Sequence, residues 1–224
     1  MPRIARLTSV GYPHYITQRG NNRQQIFLND RDRAYYVSLL AEHSSECMCD
    51  IYAFCLMENN VHLVLLPKKE HSLAKMMQKI SLRYTQHFNN KYRQTGRLWE
   101  CRFHSAIIDP TEYLWPVCRY VERNPLRQRM VSKAEDYTWS SANTDTSAGF
   151  IKQFRTTAQQ RKEYAEYLQH HDTEEDIRHI KQAVISNRPI GSETFIGEIE
   201  QLTGVNLHRR PRGRPPKGVT PPVS

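Results

Sequence analysis

The strongest constraint on the fold is a pair of apolar segments separated by only three residues. Residues 50–57 are DIYAFCLM, residues 61–67 are VHLVLLP, and Glu-Asn-Asn joins them. Two strand-sized apolar segments joined this closely predict a β-hairpin. Neither approaches the roughly 20 apolar residues needed to cross a bilayer, so we do not expect a membrane protein.

Further strands and helices are predicted around this hairpin. Because they alternate through short connections, the chain is expected to be α+β with a mostly antiparallel sheet. The predicted elements are a strand over 13–19, a helix opened by Asn29-Asp30 and ending near 47, a helix capped by Ser72 and ending near 88, and a strand or hairpin element over 97–108.

The next helix has a clear start signal. Asp109 can cap it, Pro110 suits its first position and Glu112 completes a capping box. We expect Pro125 to stop it. Pro116 would lie inside this helix and is expected to kink it.

The composition changes after residue 150. Residues 158–186 predict helices rich in charge, with an acidic patch that begins at Asp172, and Ser192 is expected to cap a further helix ending near 204. The remainder is basic and rich in proline, and is expected to be disordered. We therefore predict a first domain over 1–150, a helical region over 151–204, either a separate domain or a cover on the first, and a tail over 205–224.

The charge balance favours a polyanionic partner. The 224 residues include 32 Lys and Arg against 23 Asp and Glu, a formal net charge of +9. Nucleic acid is the first expectation. An anionic membrane surface is the second, weakened because no basic amphipathic helix stands out.

The cysteines favour a reducing compartment. There are five, an odd number without the spacing of a disulfide framework, which is typical of a cytoplasmic protein. His43, Cys47 and Cys49 imitate a metal cluster, but no Cys-x-x-Cys pair supports structural zinc.

Two polar residues interrupt the second hairpin strand. Asn60 and His62 are two apart, so their side chains share one face of the strand. Imidazole nitrogen and amide oxygen can both bind a divalent cation. The alternative is that His62 is hydrogen-bonded in the core.

A second pair lies on the helix expected before Pro125. Tyr120 and Asn124 are four apart and share a helical face. If that face packed beside His62, a phenol and an amide oxygen would join one site, where the phenol could attack a metal-polarised phosphate. The alternative is a buried tyrosine near a capped helix end.

Four segments together resemble the single-tyrosine HUH transposases, and most of all their REP-associated branch. The resemblance covers roughly residues 5–145, with the motifs in the family's order. The segments are YITQRGNNRQQIF, MENNVHLVLLP, TGRLWECRFHSAIID and YLWPVCRYVERNPLR.

The resemblance implies a ferredoxin-like sheet with a His-hydrophobic-His motif on its central strand. It also implies a nucleophilic tyrosine in the motif RYVE-x-NP. Such proteins nick single-stranded DNA at hairpin-bearing ends and form a 5′-phosphotyrosine and a free 3′-hydroxyl, with Mg²⁺ or Mn²⁺.

By position, the resemblance assigns the nucleophile to Tyr120 and the metal ligands to His62 and Asn124. Asn60 stands where the family has its first histidine. An amide oxygen suits Mg²⁺, whereas Mn²⁺ or a softer ion would lose some affinity. An alternative is therefore a cleavage-defective, domesticated protein that binds DNA hairpins on the same fold.

The tail carries an independent motif. Arg212-Gly213-Arg214-Pro215 resembles an AT-hook, in which glycine lets the backbone approach the minor groove and arginines lie along it. We expect binding to A·T-rich duplex DNA and association with the nucleoid; the alternative is a solubilising or non-specific phosphate-binding tail. The candidate DNA-binding residues of the tail are Arg209, Arg210, Arg212, Gly213, Arg214 and Lys217.

Two further sets of residues could contact nucleic acid. Arg19 and Arg23 flank a turn that could hold a hairpin backbone, or they could lie in a solvated loop. Four aromatic residues could stack on unpaired bases of DNA or RNA, or belong to the core: Trp99, Phe103, Trp115 and Trp139. A hairpin-RNA-binding module is a third hypothesis, and both a monomer and a homodimer are compatible with the sequence.

Overall fold

Four strands form one antiparallel sheet in the spatial order β2-β3-β1-β4. The computed structural model describes residues 7–143, 145, 149–152 and 157–207. The strands are β1 (His14–Arg19), β2 (Cys49–Leu56), β3 (Asn60–Pro67) and β4 (His104–Ile107).

The helices complete a β-α-β-β-α-β order followed by a helical region, which confirms the ferredoxin-like α+β prediction. Short 3₁₀ turns occur at Asn21–Arg23 and Ala134–Asp136. The helices are α1 (Asp30–Glu46), α2 (Ser72–Tyr92), α3 (Leu114–Glu122), α4 (Asn124–Arg127), α5 (Ala158–Gln169), α6 (Glu174–Ser186) and α7 (Glu193–Thr203).

One face of the sheet is covered by α1 and α2. Leu63 and Leu65 of β3 point to this face, because alternate residues of a strand share a side. They pack with Leu40 of α1 and Ile80 of α2, and all four side chains are fully buried. This core therefore packs one face of β3 against apolar side chains of α1 and α2.

The opposite face carries α3 and the C-terminal helices. Tyr15 of β1 and Val64 of β3 pack here with Val121 of α3 and Val184 of α6. Ile190, in the connection after α6, pairs by a backbone bridge with Ile108, just after β4. The helical region therefore shares a core with the sheet and lies over it as a cover.

One local prediction near α2 is wrong, and the strand predicted over 97–108 is confirmed only in its last part. Ser72 is the first residue of α2 rather than its cap; that position belongs to His71, which has a left-handed backbone with φ of 64°. Over 97–108 only His104–Ile107 is a strand. The preceding loop is instead held against the end of β1, where the amide of Asn21 donates to the carbonyl of Leu98 at 2.8 Å.

The helix that bears Tyr120 starts later than predicted, so the expected kink is absent. The carboxylate of Asp109 does accept from the amides of Thr111 and Glu112, but residues 110–113 form a turn and α3 begins at Leu114. Pro116 is thus the third helical residue, where an amide hydrogen would have no intrahelical acceptor. The helix ends at Glu122, and Asn124 opens the short α4.

Packing continues beyond the helical region. Leu207 is buried in a cluster with Leu7, Ile107, Phe195 and Ile199. The packing thus includes Leu207, three residues past the predicted boundary at 204. None of the helices within the described ranges is long and apolar enough to span a bilayer.

Candidate functional site

A groove of about 460 Å³ opens where β1 ends and β3 begins. Its walls include Arg19, Arg23, Asn60, His62 and Asn124. The structure thus brings five residues singled out from the sequence to one place. Three of them carry uncharged oxygen or nitrogen atoms that can bind a metal ion, and two are cationic. Together these five side chains could hold a divalent ion and a phosphate.

His62 presents a neutral imidazole to this groove. Its Nδ1 is hydrogen-bonded to the hydroxyl of Tyr15 at 2.7 Å. Burial, together with the nearby cations Arg127 and Lys181, lowers the pKa of His62 to about 3. The ring is therefore uncharged near neutral pH, and Nε2 is the nitrogen left for a ligand.

Asn60 places an amide oxygen on the same face of β3. Its Oδ1 is buried and has no hydrogen-bond partner in the part of the chain that the structure describes. Leaving such an atom unpaired costs about 1–3 kcal/mol. A cation in the groove would satisfy this oxygen, so Asn60 fits the position of a metal ligand.

Tyr120 lies on the same side of the sheet as His62 but is set back from the groove. It projects from α3 into the core and is only 4% exposed. Burial raises the pKa of Tyr120, while the cation of Arg127 and a hydrogen bond from Tyr15 lower it. The hydroxyl is therefore protonated at neutral pH.

Tyr15 connects the two sides of the site. Its ring stands edge-on to Tyr120 at 5.8 Å between centroids and stacks on His62 at 5.9 Å. It lies opposite Val64 in the sheet, so its contact with His62 is a diagonal cross-strand pair. Sequence reasoning missed Tyr15, since only the strand register reveals this contact.

Arg127 was also missed, and it contacts both Tyr120 and Asn124. Its guanidinium carbon lies 4.1 Å from the centre of the Tyr120 ring. One nitrogen, Nη2, donates to the backbone carbonyl of Tyr120 and, at 2.9 Å, to Oδ1 of Asn124. The amide nitrogen of Asn124 donates to the carbonyl of Val121 at 3.2 Å. The side-chain oxygen of Asn124 therefore faces the guanidinium of Arg127.

The two arginines of the groove differ in how they are engaged. Arg19 makes two hydrogen bonds to Glu100, at 2.7 and 3.1 Å, which neutralise part of its charge. Arg23 is exposed on the 3₁₀ turn, with a left-handed φ of 61°. Glu58, missed by sequence reasoning, also lines the groove. Arg23 is the freer cation for a DNA backbone.

The aromatic candidates contribute mainly to packing. Trp99 and Phe103 are buried in the core beneath α1 and α2. Trp115 packs edge-on against Tyr164 of α5, and Trp139 is partly buried with its ring nitrogen donating to Asp30. The core interpretation therefore describes these four rings better than base stacking does.

Other candidates lie elsewhere. Among the described residues, the one compact acidic-histidine group is Glu42, His43 and Glu46 on α1. It belongs to the helix on the other face of the sheet, and Glu46 is paired with Lys79. The six tail candidates named above, from Arg209 to Lys217, lie outside the described residues.

The fold and the site define a ferredoxin-like α+β protein with a histidine on the central strand and a tyrosine on a helix over the same face. The family model described as transposase, IS200-like, matches residues 10–124, more than half of the 224-residue chain. The chain belongs to this family. A DNA-processing transposase is thus its class.

A solved structure shares the fold. A REP-associated tyrosine transposase bound to a REP hairpin is 18% identical, with a TM-score of 0.54, covering 68% of this chain and 89% of its own. A candidate transposase from Deinococcus radiodurans R1 is 12% identical, with a TM-score of 0.37, covering 58% of this chain and 92% of its own. No curated protein matches the chain significantly.

The buried imidazoles predict acid sensitivity. His62 and His14 have pKa values lowered by burial to about 3 and about 4. Below pH 6.5 the unfolded chain therefore binds protons that the folded chain does not. Stability should fall as pH falls, by about 1.4 kcal/mol per pH unit for each ring. Urea unfolding of His62→Gln between pH 6 and 4.5 should show a slope lower by that amount.

The control is His171→Gln, which removes an exposed imidazole. We expect it to leave the pH slope of the unfolding free energy unchanged. Equal slopes for His62→Gln and the unmodified protein would mean that His62 is not held neutral by the fold.

Proposed function

We propose that this protein nicks and rejoins single-stranded DNA at hairpin-bearing repeats, with Tyr120 as nucleophile and a 5′-phosphotyrosine as intermediate. The observation that carries the proposal is that Tyr15 contacts both Tyr120 and His62 on one face of the sheet. The chain is also a member of the IS200-like transposase family. The hairpin substrate is extended to this chain from the REP-associated transposase that shares its fold.

The tyrosine suits a reaction that must be reversible. The oxygen of Tyr120 would form a bond to the phosphorus as the bond to the 3′-oxygen breaks. Tyr120 gives up one proton and the leaving 3′-oxygen takes one up, so the overall proton count is unchanged. Because the phosphoester is kept in the adduct, a 3′-hydroxyl can later reverse the attack, whereas water would cut the strand irreversibly.

His62 is better suited to bind a cation than to accept the tyrosine proton. A pKa of about 3 makes the imidazole a weak base near neutral pH. The same shift keeps it unprotonated and able to donate its Nε2 lone pair to a metal. Tyr15 holds the other ring nitrogen, as partners of metal-binding histidines commonly do.

The residues fit a hard divalent cation. Asn60 would contribute the unpaired buried oxygen and His62 a ring nitrogen. Asn124 would contribute a second amide oxygen, which also accepts a hydrogen bond from Arg127. Mg²⁺ or Mn²⁺, when bound, would act as a Lewis acid on the phosphate. All three side chains are uncharged, so they would orient the cation while the phosphate of the DNA supplies the opposite charge.

The nucleophile is tested by trapping the adduct. With a labelled hairpin-tailed oligonucleotide and Mg²⁺ or Mn²⁺, we expect a covalent protein–DNA species on a denaturing gel. It should disappear with a chelator and in Tyr120→Phe, because both remove a required part of the attack. Tyr113→Phe, just before the same helix, should still form the adduct. An adduct that persists in Tyr120→Phe would exclude Tyr120 as nucleophile.

A second candidate function is a cleavage-defective protein that binds DNA hairpins. Asn60 favours it, since removing an imidazole ligand weakens a metal site, and effects of about 10- to 100-fold are typical of changes around such sites. Under this hypothesis the groove and its arginines would still contact the backbone.

Asn60→His separates the two candidates. If the unmodified protein is cleavage-defective, this change should raise adduct formation by about tenfold or more at unchanged hairpin affinity, because a second imidazole completes the metal site. Strong nicking by the unmodified protein would exclude the second candidate. Equal competition by an RNA hairpin of the same sequence would instead favour an RNA-binding module.

We also propose that the tail binds A·T-rich duplex DNA, for which the Arg-Gly-Arg-Pro core is the support. Deleting residues 208–224 removes five cations and should weaken duplex binding while reducing the salt slope by up to about 4.5. Nicking of hairpins should be retained. Deleting only 218–224, which carries no charged side chain, is the control. Equal duplex affinity with and without the tail would contradict the proposal.

A further inference from the structure

Three arginines from the helices that follow the sheet converge on one buried carboxylate. Asp172 lies between α5 and α6, and its side chain is only 6% exposed. Arg127 Nη1 donates to it at 2.8 Å and Arg123 Nε at 3.2 Å. Arg119 Nε is 3.2 Å away without the geometry of a hydrogen bond. We call Arg119, Arg123, Arg127 and Asp172 the arginine clamp.

The clamp joins the helical cover to the candidate site. Arg127 uses Nη1 for Asp172 and Nη2 for Tyr120 and Asn124. A single planar guanidinium thus fixes three groups relative to one another. Arg123 also donates to the carbonyl of Leu168 at 2.6 Å, which ties the end of α5 to α3.

The charges of the clamp depend on Asp172. Three guanidinium groups lie close together and largely out of water, and the next carboxylate, Asp176, is half-exposed and 3.9 Å from Arg119. Without Asp172 the three guanidinium groups would repel one another, and their burial leaves little water to screen the repulsion. Arg127 would then lose the contact that holds its side chain behind Tyr120.

We propose that Asp172 is a positioning residue for strand nicking. It holds Arg127, and Arg127 fixes the ring and backbone of Tyr120 relative to the side chain of Asn124, which lines the groove. The inference rests on the proposed function of Tyr120. It makes the helical region after residue 157, which lies beyond the matched family segment, part of the reaction machinery.

The test compares variants of the full-length chain at the clamp and beside it. Asp172→Asn keeps the shape of the side chain and removes its charge, whereas Asp172→Glu keeps the charge. Glu175→Gln, on the exposed first turn of α6, is the matched control for losing one nearby acidic charge. Ile180→Ala, at a buried position of α6, loosens the cover without touching the clamp.

The readouts separate chemistry from binding and folding. With saturating hairpin-tailed oligonucleotide and Mn²⁺, adduct formation by Asp172→Asn should slow by about 10- to 100-fold, the effect expected from a small misplacement of reacting groups. The hairpin Kd should stay within about threefold. Asp172→Glu should recover part of the rate, and Glu175→Gln should match the unmodified protein.

Two results would overturn the proposal. One is an unchanged or faster rate in folded Asp172→Asn, which would mean that the carboxylate only opposes the cation of Arg127. The other is an equal loss of rate in Ile180→Ala at a matched unfolding temperature, which would mean general destabilisation.

A structural readout keeps the clamp testable if the unmodified protein forms no adduct. In that case the proposed function fails, and the ¹³C-labelled tyrosine spectrum still reports on Tyr120. Its resonance, assigned with Tyr120→Phe, should shift in Asp172→Asn and stay in place in Glu175→Gln. An unshifted resonance in Asp172→Asn would overturn the positioning role whatever the activity.

Discussion

The hydrogen bond between Tyr15 and His62 is the interaction on which the site depends. β3 is central in the sheet and packed on both faces, so an imidazole on it must be neutral and partnered. Tyr15 supplies that partner, and its ring also packs against Tyr120 with the two ring planes nearly perpendicular. This cross-strand contact therefore holds the ring of His62 in place and leaves its Nε2 available on the groove side. Because Tyr15 also contacts Tyr120, only the Tyr15 side chain separates Tyr120 from His62.

Local signals predicted most of the fold. The close pair of apolar segments did form the central hairpin, and Asn29 does cap α1 through a capping box with Asp32. Ser192 caps α7 as expected. The start of α3 failed because the signals at Asp109 are satisfied by a turn, whose entry is fixed by a distant contact: the amide of Asp109 donates to the carbonyl of Ile190 at 2.8 Å. No local pattern contains that contact.

The candidate site could likewise be predicted only in part. Asn60, His62 and Asn124 follow from spacing and family resemblance, and they do line one groove. Tyr15, Arg127 and Asp172 act through tertiary contacts and leave no local signal. Asp172 is an example, because it belongs to an acidic run, and such a run normally indicates a solvent-exposed surface. Glu174 and Glu175 of this run are indeed exposed. Only the three arginines that pack over it reveal a buried carboxylate.

The lack of charge on the proposed ligands determines how a metal ion and a DNA phosphate would share the proposed site. The three proposed ligands are uncharged, so they would offset none of the charge of a divalent ion. The groove wall also holds Arg19, which is paired with Glu100, together with Arg23 and Glu58. A divalent ion and a phosphate would therefore bind better together than either would alone, because each offsets the charge that disfavours the other. An imidazole at position 60 would add intrinsic metal affinity, whereas in the proposed site the amide of Asn60 would make metal occupancy depend more strongly on the DNA strand.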